Sequence, residues 1–366
     1  MISSILVFIL VLSLLILAHE LGHFVVARKA GIWVEEFGFG IPPRLISKKI
    51  GQTIYSLNLF PFGGFVRLHG ENLEGDITDI KRAYLKKSKK TRLLVVVAGV
   101  MMNFLLAIVA FGVVYSFSGL PRETRVVKVI EVSSSSPAQV AGILPGDIVR
   151  SVDKKAVFTT KEFIAYVDAK KGQKVILAVQ SGDEVKSVTL IPRSEPPENE
   201  GPLGVVISAS EIFFPPFWQR PFYGAYYGFK EALFWGKTVV LGLAGYFKEI
   251  FGGRVPEGVS GPVGIFAVTT EAAKYGPLSL INFVGILSIN LAILNILPFP
   301  ALDGGRLLFI FLEGLIGKKI LPKVEAAIHT AGMIILLALL LLITLGDIKR
   351  LIIAGSISGF LETMIK

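Results

Sequence analysis

The chain has 366 residues, 52% hydrophobic and 18% charged, with a mean hydropathy of +0.65 and a formal net charge of +10. These values exclude a disordered or collagen-like chain and are high for a water-soluble enzyme. The absence of cysteine excludes disulfides and a cysteine nucleophile, and the basic residues flank hydrophobic runs as membrane topology requires, which argues against nucleic-acid binding.

The first apolar segment is predicted to be a retained transmembrane helix over about 5–27, because it lacks the basic start of a cleavable leader. No charge occurs from Ile2 to Ala18; then comes His19-Glu20-Leu21-Gly22-His23. Residues four apart share a helix face, so His19 and His23 can offer two imidazole nitrogens to one Zn2+, with Glu20 beside them as a general base for a hydrolytic water. The loop from Arg28 to Arg92 holds thirteen basic and six acidic residues, a net +7 that marks it as cytoplasmic and leaves the amino terminus outside. Within it, Tyr55 to Leu68 alternates like a strand around a Pro/Gly turn, predicting a hairpin over about 50–70. That hairpin is apolar enough to dip into a membrane. A second span is predicted over about 93–117, where Gly99 and Asn103 make a small-plus-polar face for close packing, with support of the metal site as the other role for Asn103.

Residues 119–195 have the composition of a small α+β domain, with strands predicted near 126–132, 174–179 and 185–191 and helices near 136–141 and 160–169. Residues 196–277 read as a linker and an amphipathic, membrane-surface segment, with a Gly- and Pro-punctuated connector from Gly258 to Gly276. Third and fourth spans are predicted over about 278–297 and 328–345. The fold class is therefore a polytopic α-helical membrane protein, a four-helix core with an inserted α+β domain. With four spans, both termini and the small domain lie outside, and Asp303 falls on the same side as His19 and His23. An acid closing an apolar helix between Pro298, Pro300, Gly304 and Gly305 is a candidate third ligand. His69, in the hairpin loop, and His329, opening the fourth span, are competing imidazoles.

HExxH in a first membrane segment with Leu302-Asp303-Gly304 after a late one resembles the site-2 proteases. These are bacterial intramembrane zinc metalloproteases that cleave anti-sigma factors or signal-peptide remnants. The chain is similar to the regulator-of-sigma-E protease type with a single PDZ domain, through Ser136-Pro137-Ala138 and Ala141 to Asp147. Pro61 to Val66 resembles that family's membrane-associated hairpin, and Gly99 to Asn103 its second-helix motif, although Val100 stands where many relatives have proline. The resemblance implies Zn2+ held by His19, His23 and Asp303, with Glu20 as catalytic base. It also implies that Asn295 and the hairpin residues Gly63, Gly64 and Phe65 bind substrate. The implied partners are single-span membrane proteins, a peptide or substrate ectodomain at the PDZ module, and lipid of the bacterial inner membrane. The alternation of the hairpin itself suggests pairing with an unwound substrate, so prolines at Leu57 and Leu59 are expected to reduce cleavage while leaving zinc content unchanged. A non-proteolytic reading, an ion-binding transporter or PDZ-bearing scaffold, uses the same residues and is separated by zinc-dependent peptide cleavage.

Overall fold

The fold is given by a computed structural model that describes residues 2–71, 77–197, 200–253, 260–317 and 321–365. Glu74 and Asp76 of the basic loop, and parts of the 192–202 exit segment and of the connector at Gly258, lie outside these. The chain divides into two units, residues 1–118 with 217–366, and residues 119–216.

In the first unit, four helices among the described residues are long and apolar enough to cross a membrane. They are α1 (Ile2–Lys29), α2 (Lys89–Ser118), α7 (Pro277–Ile296) and α9 (Pro322–Ala354). A helix satisfies its own backbone, so it can enter hydrocarbon where a loop cannot. Contact between such helices depends on close packing rather than on a flight from water. Val11 and Leu15 of α1 therefore interlock with Val284 of α7, and Gly285 lets α7 meet the ring of Phe111 on α2.

A further helix, α5 (Arg220–Phe251), runs beside α2 and is not among the four. Its small residues bring the two backbones together: a Cβ on Gly228 would lie 2.5 Å from the Ile108 carbonyl oxygen. Glu231 pins the pair by accepting from Tyr115 Oη (2.8 Å) and Trp235 Nε1 (3.0 Å). The helix occupies 32 residues, so the stretch 232–251 is the second half of a longer element.

The connector predicted after Gly258 is instead largely helix, α6 (Pro262–Lys274). Asp347 of α9 caps it from across the chain, accepting from the amides of Gly261 (2.8 Å) and Gly264 (3.3 Å). The helix α8 (Asp303–Ile316) follows the turn after α7, and α10 (Ile357–Ile365) ends the described chain.

Between α1 and α2, the strands β1 (Val34–Ile50) and β2 (Thr53–Leu68) form an antiparallel pair. The predicted Pro/Gly turn does not reverse the chain there. The reversal lies at Gly51-Gln52, and β2 runs on past Gly63 (φ 120°) and Gly64. β1 bends between Ile41 and Arg44, so its two halves pair separately: Arg44 to Ile50 lies against Thr53 to Asn58. The other half is flanked twice, with Phe39 opposite both Leu57 and Gly64, and Glu36 opposite both Ile54 and Arg67. The segment 64–68 is consequently an outer edge of this small sheet, while Leu57 is paired on both sides, by Phe39 and Ile46.

The second unit is a six-stranded sheet: β3 (Leu120–Val132), β4 (Ile148–Val152), β5 (Lys155–Ala156), β6 (Val175–Ser181), β7 (Glu184–Leu190) and β8 (Val205–Phe213). The order is β7-β6-β4-β3-β8, with β5 on β4. Two short helices, α3 (Pro137–Val140) and α4 (Thr160–Asp168), start on Ser136 and on a Thr159–Glu162 capping box. The strand β8 lies beyond the segment assigned to the domain from sequence and pairs with β3, Val129 opposite Ile207. Val127, Val175 and Leu177, fully buried, centre its core.

Candidate metal centre

The HExxH segment lies on α1, and the two histidines share a face as their spacing requires. His23 Nδ1 donates to the Val95 carbonyl of α2 at 2.8 Å, which leaves Nε2 as the bare nitrogen. That Nε2 lies 3.2 Å from His19 Nε2, and each is 3.1 Å from Asp303 Oδ2. A four-coordinate ion with bonds of 2.0–2.1 Å separates its ligand atoms by roughly 3.3–3.4 Å. The three atoms thus already form a face of such a tetrahedron to within about 0.3 Å. With His19 bare at Nε2 like His23, three acceptors meet here and a cation between them relieves their repulsion, so the residues present fit zinc. Among the described residues, His19, His23 and Asp303 are the group able to hold a metal.

The backbone is shaped for this meeting. Gly22 sits so close to α2 that a Cβ would fall 2.2 Å from the Ala98 carbonyl oxygen, and a Cβ on Gly99 would fall 2.4 Å from His23 Nε2. Gly304 passes the end of α7 at similar range, where a Cβ would clash with the Leu297 carbonyl oxygen at 1.9 Å. That contact folds Asp303 back beneath the histidines.

Each of these three side chains keeps about an eighth of its surface open, on a cavity of about 650 Å3. Glu20, Asn295, Arg306 and the hairpin edge from Gly64 to Leu68 also line it. An accessible side is what a catalytic rather than a structural zinc requires. Asn295 Nδ2 stands 3.5 Å from His19 Nε2. Gly64 rests on Glu20, where a Cβ would come within 3.1 Å of Glu20 Cγ. Phe65 lines the cavity as well, whereas Gly63 faces Ile41 instead. Asn103 is fully buried one turn from Gly99, outside the cavity lining, and neither amide atom has a partner among the described residues.

The competing imidazoles are otherwise engaged. His69 is buried, with Nδ1 donating to Glu35 (2.6 Å) and Nε2 accepting from the Asp79 amide (3.2 Å). His329 reaches the cavity wall, but its Nδ1 accepts from the Ala301 amide at 3.0 Å.

Two charged residues of the cavity were not singled out from sequence. Arg306, one turn along α8 from Asp303, pairs with Glu71, and Glu71 Oε2 accepts from the Leu68 amide at 3.3 Å. Their only sequence signal was the position of Arg306 after Asp303-Gly304-Gly305. Glu71 raises the Arg306 guanidinium above its ordinary range, and burial pushes the Tyr84 phenol up, so the one stays charged and the other neutral.

Residues 7–339 match peptidase family M50. A Clostridium perfringens protein named "Putative zinc metalloprotease CPE1693" is 37% identical over 348 residues, covering 93% of this chain and 97% of that one. The zinc metalloprotease RasP of Oceanobacillus iheyensis is 27% identical, over 95% and 99% of the two chains. Among solved structures, the PDZ domain of an SdrC-like protein from Listeria monocytogenes is similar over 23% of this chain and 87% of that one, at 24% identity and a TM-score of 0.21. A match across nearly the whole length, with a zinc-shaped triad between apolar helices, makes this chain a zinc metalloprotease of peptidase family M50.

Proposed function

We propose that the enzyme is an intramembrane endopeptidase that hydrolyses peptide bonds in the membrane segments of single-span proteins, such as anti-sigma factors or signal-peptide remnants. The observation that carries this reading is the convergence of His19, His23 and Asp303 from an apolar helix and the turn after another, with Glu20 on the same cavity.

His19, His23 and Asp303 hold the zinc, which when bound supplies a Lewis acid for the scissile carbonyl and an acidified water. Glu20 takes the proton of the attacking water and returns it to the leaving amine. Asn295, with an amide beside His19, binds substrate backbone at the ligand face. A membrane helix hides its peptide bonds in its own hydrogen bonds, so the substrate must unwind first. The segment Gly64–Leu68 receives the unwound strand, because it is an edge of its sheet and lines the cavity. Leu57 does not serve this pairing, since it is flanked on both sides by β1. The exposed apolar residues Ile41, Leu45, Ile46 and Phe60 suit a hairpin dipped into lipid.

The excess of basic residues from Arg28 to Arg92 supports a metal centre on the cytoplasmic side, and on this reading residues 119–216 act outside the cytoplasm as a PDZ module receiving a peptide or substrate ectodomain. The boundaries of the enzyme follow: a protease core of residues 1–118 and 217–366 with the module inserted. The test is cleavage of a single-span substrate by wild type and Glu20→Gln, with zinc measured in both. Wild type should cut, and the variant should retain zinc and lose about 10²–10⁴-fold in rate. A Glu20→Gln enzyme that cuts normally sinks the assignment of the base, and cutting confined to water-exposed bonds sinks the intramembrane reading.

A further inference from the structure

The turn that delivers Asp303 is held in place by a residue outside the ligand set. From Leu297 to Gly305 the chain makes three short-range bonds: Phe299 N to Leu297 O (2.6 Å), Leu302 N to Phe299 O (3.2 Å) and Gly305 N to Leu302 O (3.0 Å). Within them Ala301 adopts φ 79°, a left-handed conformation that an alanine resists because its Cβ crowds the following carbonyl. Such a conformation persists only where the surroundings over-determine it. Here the surroundings are α9. His329 Nδ1 accepts from the Ala301 amide at 3.0 Å, and its ring packs against Phe309 of α8. One turn further along the same face, Gly332 admits Pro300, whose own Cβ would lie 2.4 Å from a Cβ placed there.

We propose that His329 is a positioning residue for the metal centre: its ring, fixed on α9, holds Ala301 left-handed so that Asp303 Oδ2 meets His19 and His23. The proposal rests on the reading of those three residues as the zinc ligands. The bond from Ala301 fixes the histidine tautomer, with the proton on Nε2, which faces Glu325 at 3.9 Å. Nε2 makes no hydrogen bond among the described residues, but in this tautomer it carries the proton and offers the metal no lone pair, and the ring acts through Nδ1 as an acceptor for backbone. Ala301 is two residues from Asp303, so a change in its φ swings the carboxylate directly. Residues of this kind set metal affinity by orienting a ligand without touching the ion, and their loss costs about 10–100-fold.

The experiment measures zinc affinity of the detergent-solubilised full chain by competition with a chromogenic chelator. His329→Phe keeps a ring against Phe309 and removes the acceptor; it should weaken zinc binding about 10–100-fold. His329→Asn places an amide oxygen near the position of Nδ1 and should restore most of the loss, whereas His329→Gln, whose oxygen corresponds to Nε2, should not. Ala301→Gly in the His329→Phe background should recover roughly five- to tenfold, because glycine is at ease left-handed and no longer needs the restraint. Wild-type affinity in His329→Phe, or equal affinity in the Asn and Gln variants, overturns the proposal. Asp303→Ala is measured alongside: if it too binds zinc normally, the ligand assignment itself has failed, and if it alone is weak, only the role of His329 has.

Discussion

Gly99 and His23 face each other so closely that a Cβ on the glycine would lie 2.4 Å from the imidazole Nε2 and 2.7 Å from His19 Cε1. Helix α2 therefore forms the back wall of the metal centre, and the wall has no room for a side chain. It also holds the ring from the other side, through Val95 O on His23 Nδ1. Gly99→Ala should lower zinc affinity by at least about tenfold with little change in helix content, since alanine favours a helix and only the ligand face is obstructed. Zinc content after dialysis, with circular dichroism on the same sample, checks it. A Gly99→Ala protein that holds zinc like wild type would show that the two helices can part at no cost.

The candidate triad that the structure brings together was legible in the sequence because each part of it is local. Two histidines one turn apart, a glutamate between them and an acid after an apolar helix each announce themselves, and counting spans brings them to one side. The hairpin was legible only as strand-forming sequence. Pro61-Phe62-Gly63-Gly64 has the composition of a turn, but the chain passes through it extended because residues 64–68 pair back onto Val34–Phe39. The helix α6 was hidden for a related reason. Its amino-terminal cap is Asp347, 86 residues from Gly261, and no local pattern signals a cap borrowed from another helix.

Glu36 joins all parts of the hairpin. Its carboxylate, almost fully buried, accepts from Ser56 Oγ (2.6 Å) and pairs with Arg44 (2.6 Å) and Arg67 (3.2 Å). Those partners lie on each of the segments that β1 and β2 fold into. Both arginines are substantially exposed, so the pairing is partly screened, and Glu36→Ala should destabilise the hairpin by about 1–3 kcal/mol rather than unfold the protein. Amide hydrogen exchange over residues 36–67 should speed up, while zinc content stays constant because the proposed ligands lie on α1 and at the start of α8. Unchanged exchange would mean that the sheet pairing suffices alone.

If the Gly64–Leu68 edge receives substrate, its outward amides are the reacting surface. Successive strand residues direct their amides to opposite sides, so of Phe65→Pro and Val66→Pro one removes an outward donor and the other breaks the bond to β1. The first should depress cleavage while leaving zinc and thermal midpoint unaltered; the second should lower the midpoint as well. Leu57→Pro should behave like the second, since Leu57 is paired on both sides. Normal cleavage by both edge variants would remove strand addition from the mechanism.

Arg92 at the start of α2 and Glu313 near the end of α8 form an ion pair in which each side chain is 4% exposed or less. Lys89 adds a bond from Nζ to the Glu313 carbonyl at 2.7 Å. Because α8 begins with Asp303, this pair fixes the far end of the helix that presents the proposed third ligand. Charges this well buried are costly to leave alone: Glu313→Ala should destabilise by about 3–5 kcal/mol, chiefly by stranding the guanidinium. The double replacement Arg92→Met with Glu313→Leu removes both charges and should recover most of that loss. Zinc affinity should divide the two effects. It should fall in Glu313→Ala, where α8 loses its anchor to α2, and return in the double variant if apolar packing holds the helix equally well. Recovery of the thermal midpoint without recovery of zinc would show that the ion pair serves alignment of Asp303 rather than stability.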